Sequence, residues 1–183
     1  MKKEKIAAII LAFSAIVFGC NKERFDEEAP RHFGNASAYI NGDSTSFEVS
    51  VRRLQTNDTL YSLGFHYYIN GARRKFIYFT GFRMVNERQF LNSAIHMPNR
   101  YPFSSYATYL LDGDVAGNYY YLNEDDSIED YLEITYFNLI TKEVRGLVQG
   151  SYFIAPELTE KQDLASPDTI IVTKGIFKTK IFD

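Results

Sequence analysis

The chain has 183 residues, of which 45% are hydrophobic and 16% aromatic, and its formal net charge is −3. This length suits one domain, this hydrophobic content is unlike that of a disordered chain, and the lack of a basic surplus argues against nucleic acid as a partner. The aromatic residues are 14 Tyr and 15 Phe with no Trp, a richness that favours strands over helices.

The first 20 residues have the three parts of an export signal. A basic start is followed by a 13-residue apolar run and then by a small residue before a cysteine: Lys2, Lys3 and Lys5, then Ile6 to Phe18, then Gly19 and Cys20. At ~1.5 Å per residue, a helix of that length spans less than the bilayer's hydrocarbon core of about 30 Å. We therefore expect a cleaved leader, residues 1–19, and a mature chain of 164 residues with a charge of −5.

The end of the leader, Val17-Phe18-Gly19-Cys20, resembles the lipobox of bacterial lipoproteins. In that class the cysteine sulfur is diacylglyceryl-modified, the leader is cut before it and the new amine is acylated. The resemblance implies that Cys20 is a lipid-attachment site, carrying acyl chains such as palmitate, and that the membrane is a partner through this lipid. Several acyl chains explain stable attachment where one gives only marginal binding. The alternative is an ordinary secretory signal with a chance or buried free cysteine.

Residues 20–35 form the second predicted segment, a flexible acidic tether. They are rich in charge, contain Pro30 and follow neither a helical nor a strand period. A charged, acidic run directly after a lipidated cysteine resembles the surface-export signals of Bacteroidota lipoproteins, and a solvated linker fits equally well. The expected location is the bacterial outer membrane, with a surface-exposed or a periplasm-facing domain both left open.

Residues 36–183 alternate with period two and carry repeated turn signals. Asn41-Gly42 and Asn70-Gly71 predict tight turns between strands, whereas residues 86–105 break the rhythm and predict a loop or a short helix. Nine or ten strands are expected in all, which predicts an all-β fold: a single antiparallel β-sandwich or a sandwich-like partly open barrel. The predicted strands cover residues 36–41, 47–51, 61–67, 76–82, 106–111, 118–122, 132–136, 144–155 and 169–182.

Two aromatic runs stand out on these strands, Tyr67-Tyr68 and Tyr119-Tyr120-Tyr121. Consecutive strand residues point to opposite faces, so Tyr120 must face away from its two neighbours. Exposed aromatic rings stack on sugars or anchor a protein partner, while the alternative is that these tyrosines pack the sheet with their hydroxyls at the rim. In the fourth strand we expect Phe76, Tyr78 and Phe82 on one face, opposite Ile77 and Phe79.

Four stretches of this region together resemble a known family, namely Ser37–Gly42, Leu132–Tyr136, Val144–Gly150 and Ile171–Phe177. They are similar to a family of uncharacterised Bacteroidota lipoproteins, in which an Asn-Gly opening and two late Gly-x-(apolar) strands frame an all-β domain. The resemblance implies a fold and an envelope location, and it supplies no catalytic residue.

Residues that could carry chemistry are few. His32, His66 and His96 lack a His or Cys partner at i+2 to i+4, so a zinc site is unsupported, and His66 is interpreted as a packed or surface histidine on a strand. There is no nucleophile elbow, phosphate loop or His-Glu-x-x-His motif. No cofactor is predicted.

Two acidic groups allow sharper hypotheses. Glu129, Asp130 and Glu133 could supply paired carboxylates for glycoside hydrolysis, although solvent-facing charges explain them more simply. A second hypothesis places Asp112 and Asp114 opposite the run 124–126 across a hairpin, in an oxygen-rich calcium pocket; the alternative is that turn aspartates are common for local hydrogen-bonding reasons.

The function that these observations predict is that of a lipid-anchored cell-envelope protein. We expect a non-catalytic binding module for a glycan, a peptide or another envelope protein. The alternatives are a structural subunit of an envelope assembly and a carboxylate-dependent hydrolase.

Overall fold

The structure is a computed structural model that describes residues 34–93, 104–112, 115–154 and 160–182. The leader, Cys20 and the tether up to residue 33 lie outside the described residues, as do His96 and Asp114. The described residues are all-β, as predicted, and they include no helix that is long and apolar enough to cross a membrane.

The strands number eleven in the described part of the chain, where nine or ten were expected. The additional strands are β5 and β6, inside the stretch predicted as a loop or short helix. Both are short, with three and two residues, and each is defined by its pairing with another strand, β5 with β9 and β6 with β7. Such short segments carry no recognisable period in the sequence. In chain order the strands are β1 (Gly34–Ile40), β2 (Asp43–Leu54), β3 (Asn57–Ile69), β4 (Ala72–Arg83), β5 (Arg88–Phe90), β6 (Asn92–Ser93), β7 (Ser104–Asp112), β8 (Val115–Leu122), β9 (Tyr131–Asn138), β10 (Glu143–Phe153) and β11 (Thr169–Phe182).

All eleven strands belong to one sheet, in the order β1-β11-β2-β3-β4-β7-β8-β10-β9-β5, with β6 beside β7. Because β10 also pairs with β11, the pairings of β2, β3, β4, β7, β8, β10 and β11 close into a ring. Two links in this ring are short: β8 and β10 share two residue pairs, and β11 and β2 share two parallel pairs. The fold is therefore a sandwich-like, partly open barrel, antiparallel except for the β11–β2 and β6–β7 pairings.

The two predicted Asn-Gly turns are confirmed. Asn41 and Gly42 have φ values of 53° and 92°, and Asn70 and Gly71 have φ values of 53° and 79°. Two successive residues with positive φ match the right-handed twist of the flanking strands, and Asn and Gly tolerate this conformation best. These turns set the registers of β1 against β2 and of β3 against β4.

The prediction for Phe82 is wrong, because a bulge changes the face on which it lies. Tyr61 pairs with Phe82 and Ser62 pairs with Thr80, which leaves Gly81, with a φ of 81°, as an extra residue. One extra residue in a strand reverses the alternation beyond it. Phe82 is consequently fully buried with the inward side chains of β4, opposite the face that carries Phe76 and Tyr78.

Aromatic rings dominate the interior of the barrel. Phe65 is surrounded by Phe47, Phe79 and Phe177, with ring centroids 5.8, 5.7 and 5.9 Å away and steep interplanar angles. This is the edge-to-face arrangement that aromatic rings prefer. The four rings come from four different strands, so the core joins opposite walls of the barrel.

A polar pair lies within this aromatic interior. The hydroxyl of the fully buried Tyr152 is 2.7 Å from Ser105 Oγ. Since the Ser105 hydroxyl donates its single proton to the Tyr78 carbonyl oxygen at 3.0 Å, Tyr152 is the donor to Ser105. Burial raises the pKa of Tyr152, and both hydroxyls are thus satisfied without water.

Residues 160–168 form hydrogen bonds with β8 along the part of that strand that does not pair with β10. The Asn118 Oδ1 accepts from the backbone N–H groups of Gln162 at 2.8 Å and Asp163 at 3.1 Å, and its Nδ2 donates to the Asp163 carbonyl at 2.9 Å. Tyr120 donates to the Pro167 carbonyl at 2.8 Å. Side-chain hydrogen bonds therefore take the place of a strand ladder along this part of β8.

Candidate functional site

The outward side chains of β4, β7 and β8 form a surface lined by aromatic rings. Tyr106 on β7 pairs with Tyr78 on β4 and with Tyr121 on β8, and the neighbouring row runs from Phe76 through Thr108 to Tyr119. We call the five rings of these two rows the tyrosine face. The predicted alternation along β8 is confirmed, since Tyr120 is fully buried while Tyr119 is 43% exposed.

Tyr106 is at the centre of the tyrosine face. Its ring centroid is 5.6 Å from that of Tyr78 and 5.8 Å from that of Phe76. Its pKa is raised, mainly by burial and further by Tyr78 and Tyr119, so its hydroxyl remains a hydrogen-bond donor at neutral pH. The guanidinium of Arg73 lies over the Phe76 ring, 5.1 Å from the centroid, and adds a charged group at the border.

His66 on β3 adjoins the tyrosine face, because it pairs with Phe76 across β3 and β4. Its Nε2 lies 3.1 Å from Ser50 Oγ on β2. The ring lies over Gly64, where a Cβ atom would come within 2.7 Å of Nε2, so a larger residue there would displace the imidazole. The histidine singled out from the sequence is thus a half-buried strand residue with a hydroxyl neighbour.

Burial lowers the pKa of His66 to about 4, with further lowering by Arg73 and Arg52. The imidazole is therefore neutral at pH 7 and offers both a donor and an acceptor nitrogen. A serine beside a histidine is also the contact that nucleophilic catalysis requires. Here, however, two arginines disfavour the imidazolium that a general base must become, which makes this pair suited to hydrogen bonding.

The three candidate carboxylates do not converge on an open space. Arg88 on β5 binds two of them, with one nitrogen 2.8 Å from a Glu129 oxygen and another 3.1 Å from a Glu133 oxygen. Its guanidinium also lies 3.9 Å from the ring centroid of Tyr131. These contacts join β5 to β9, and they fill the space between the two glutamates with a cation.

Asp130 has a different environment from its two neighbours in sequence. Its Oδ1 accepts the backbone N–H of Ser151 at 2.8 Å. Burial raises its pKa to about 6 despite this hydrogen bond, and Asp126 and Glu124 raise it further. The three carboxylates named from the sequence are therefore divided between an ion-pair cluster and a backbone contact.

An open groove of about 370 Å³ adjoins the Arg88 cluster and is lined by Leu60, Gly81, Arg83, Glu87, Arg88, Gln89 and Phe90. The Gln89 side chain accepts from the Arg83 N–H and donates to the Arg83 carbonyl, both at 2.9 Å. The charged residues that line the groove already have partners, since Arg83 lies 3.5 Å from Glu87 and Arg88 contacts Glu129 and Glu133. The groove thus holds paired charges and one exposed ring, that of Phe90.

Among the described residues, Asp112 and the run 124–126 do not come together as the calcium hypothesis requires. Asp112 ends β7 and pairs with Val115 at the start of β8, whereas residues 124–126 follow the other end of β8. Eight residues of strand, at about 3.3 Å each, place the two groups roughly 25 Å apart. Asp126 instead accepts from the Ile128 N–H at 2.8 Å and from Asn123 at 3.2 Å. The described part of the chain contains no group of three His, Cys, Asp or Glu residues placed to hold a metal.

Sequence reasoning found part of the tyrosine face and missed the rest. It singled out the tyrosines of β8, which are adjacent in sequence. It did not connect them with Phe76, Tyr78 or Tyr106, although each of these lies in a predicted strand. Only the pairing of β4 with β7 and of β7 with β8 brings the rings into two rows.

Comparisons of this chain with protein-family models, curated proteins and solved structures found no match. The resemblance to a Bacteroidota lipoprotein family therefore stays a prediction, and function has to be argued from the geometry of the described residues.

Proposed function

We propose that the protein is a lipid-anchored, non-catalytic binding module of the bacterial cell envelope that recognises a glycan through the tyrosine face. The observation that carries this proposal is the pair of ring-lined rows on the outer wall of the barrel, across β4, β7 and β8. The lipobox-like sequence at Cys20 supports the anchor, and the leader before it supports export.

Sugars suit such a surface because they combine apolar C–H faces with many hydroxyl groups. A tyrosine side chain has the complementary character, with a flat apolar ring and a polar tip. It also loses little conformational entropy on binding, since it has only two side-chain torsions. The guanidinium of Arg73, which lies over the Phe76 ring, adds a charged hydrogen-bond donor at the border of the rings.

The chemistry of the other candidate groups favours binding over turnover. The Ser50–His66 contact lies in the field of two arginines, and Glu129 and Glu133 share the Arg88 guanidinium. Neither arrangement holds a base or an acid ready beside an open substrate position.

Glycan recognition is tested with an array of bacterial, plant and animal oligosaccharides, followed by affinity electrophoresis in gels containing the polysaccharide that is retained. We expect Tyr78→Ala and Tyr119→Ala each to weaken retention at least tenfold. The matched control is Tyr136→Ala, which removes an equally exposed tyrosine from β9. Binding of no glycan, or equal loss in the Tyr136→Ala control, would contradict the proposal.

The anchor is tested independently of the ligand. Cys20→Ala should release the protein from the membrane fraction, and retention of the variant would contradict lipid attachment. Protease treatment of intact cells, with a periplasmic protein as leakage marker, then separates the two remaining locations. Digestion places the domain outside the cell, and protection until the outer membrane is breached places it in the periplasm.

A further inference from the structure

The turn between β9 and β10 exposes two aliphatic side chains side by side. Leu139 is 55% exposed and Ile140 is 94% exposed. The turn is held by Asn138, whose Oδ1 accepts the backbone N–H groups of Ile140 at 2.9 Å and Thr141 at 3.0 Å. Hydrogen bonds within the turn thus fix the backbone that presents both side chains to solvent. We call residues 138–142 the β9–β10 tip.

Positive charge surrounds this tip. Lys142 belongs to the turn itself, and Lys180 and Lys178 on β11 pair with Glu143 and Arg145 on β10. Glu143 lies 2.6 Å from Arg145 and 3.4 Å from Lys178, and these contacts lower its pKa, with Arg145 contributing most. The three cations of β10 and β11, Arg145, Lys178 and Lys180, and the carboxylate of Glu143 leave two positive charges beside the two exposed aliphatic residues.

The described chain begins at the same end of the barrel. Gly34 lies against β11, where a Cβ atom would collide with the carbonyl oxygen of Lys178, and Asn35 pairs with Lys178. Val144, two residues after the tip, pairs with Thr179. The strand that follows the tether therefore starts beside the basic residues of the tip.

The tether is long enough to let this end reach the bilayer that holds the lipid. Cys20 precedes Gly34 by 14 residues, which extend to at most about 50 Å. This step rests on the lipid anchor of the proposed function, whereas the aliphatic pair and its surrounding charge do not depend on it.

We propose that the β9–β10 tip is a membrane-contact site that inserts Leu139 and Ile140 among the headgroups of an anionic bilayer. The side chains of Lys142, Lys178 and Lys180 then lie near the anionic lipid phosphates. Apolar burial combined with attraction to anionic lipid is the means by which peripheral segments bind membrane surfaces. The contact orients the domain on the membrane, which the lipid at Cys20 alone does not do.

The absence of Trp from the sequence allows a site-specific test. The full chain with Cys20→Ala is prepared with one introduced tryptophan, Ile140→Trp at the tip or Leu164→Trp as the control, which replaces an 82% exposed leucine between β10 and β11. Each protein is mixed with phosphatidylglycerol-containing vesicles or with pure phosphatidylcholine vesicles. Because the signal comes from a single residue, attachment through the apolar leader does not mimic insertion of the tip.

We expect the emission of the Ile140→Trp protein to shift to the blue and to be quenched by brominated acyl chains in phosphatidylglycerol vesicles. The shift should decrease with salt and with the added substitutions Lys178→Glu and Lys180→Glu. Leu139→Trp should reproduce it, and Leu164→Trp should not show it. An unshifted tip, an equal shift in phosphatidylcholine or an equal shift in the control would overturn the inference. Glycan retention by these proteins reports on the tyrosine face separately.

Discussion

The two faces of β3, β4 and β7 carry aromatic rings in different ways. On the inner face Phe65 is 2% exposed and is enclosed by three other rings. On the outer face Tyr106 contacts the rings of Phe76 and Tyr78, and the row that begins at Phe76 ends at Tyr119, which is 43% exposed. Aromatic rings therefore form the core on one face and stay partly exposed on the other, where we propose that a glycan binds.

Truncating an inner ring should lower the stability of the fold more than any other change predicted here. Phe65→Ala removes the ring at the centre of the core and leaves a cavity between opposite walls, so we expect a loss of about 3–5 kcal/mol in the free energy of unfolding. Urea denaturation followed by circular dichroism measures this loss. A loss below about 1 kcal/mol would mean that the inner rings do not support the fold as described.

His66 should make stability depend on pH. Its folded pKa of about 4 lies below the ordinary histidine pKa of 6.5, so the unfolded chain binds the proton more readily between these values. Its contribution is complete above pH 6.5 and is lost as pH falls toward 4, by roughly 3 kcal/mol. His66→Gln should remove this part of the pH dependence. The free energy of unfolding is measured by urea titration at pH 7, 5.5 and 4. If it falls equally with pH in wild type and variant, the histidine is not desolvated.

Asp130 should change stability with pH in the opposite direction to His66, over an overlapping pH range. Its folded pKa of about 6 lies above the ordinary aspartate pKa of 3.8, so the folded protein holds the proton more tightly and stability falls as pH rises from about 4 to 6. The side chain is partly exposed, so the effect is limited to about 1 kcal/mol after allowance for solvent screening. Asp130→Asn should raise the melting temperature at pH 7 and leave it nearly unchanged at pH 4. A decrease at pH 7 would contradict the raised pKa.

Truncating an outer ring should affect stability least. Tyr119→Ala should lower the free energy of unfolding by less than about 1 kcal/mol, because the ring is largely exposed and contributes mainly a cross-strand contact. The same variant should lose glycan retention. Loss of several kcal/mol together with loss of binding would mean that the tyrosine face is a packing layer, and the difference between the two faces would disappear.

Much of the strand pattern is local and was therefore predictable. Alternation of apolar and polar residues locates most strands, because a strand with one buried face must alternate. The two Asn-Gly pairs locate tight turns, because few other residues tolerate positive φ. Each of these signals is contained within a few neighbouring residues. The opposite orientation of Tyr119 and Tyr120 follows from the same alternation.

Tertiary structure decided the features that depend on distant partners. The bulge at Gly81 turned Phe82 inward, and the short strands β5 and β6 formed only by pairing with β9 and β7. Closure of the ring by β10 and β11, the rows of rings across β4, β7 and β8, and the position of Gly34 beside the β9–β10 tip all depend on strand order. Strand order is set by which pairings bury the most apolar surface together, and this is a property of the whole chain that no short segment contains.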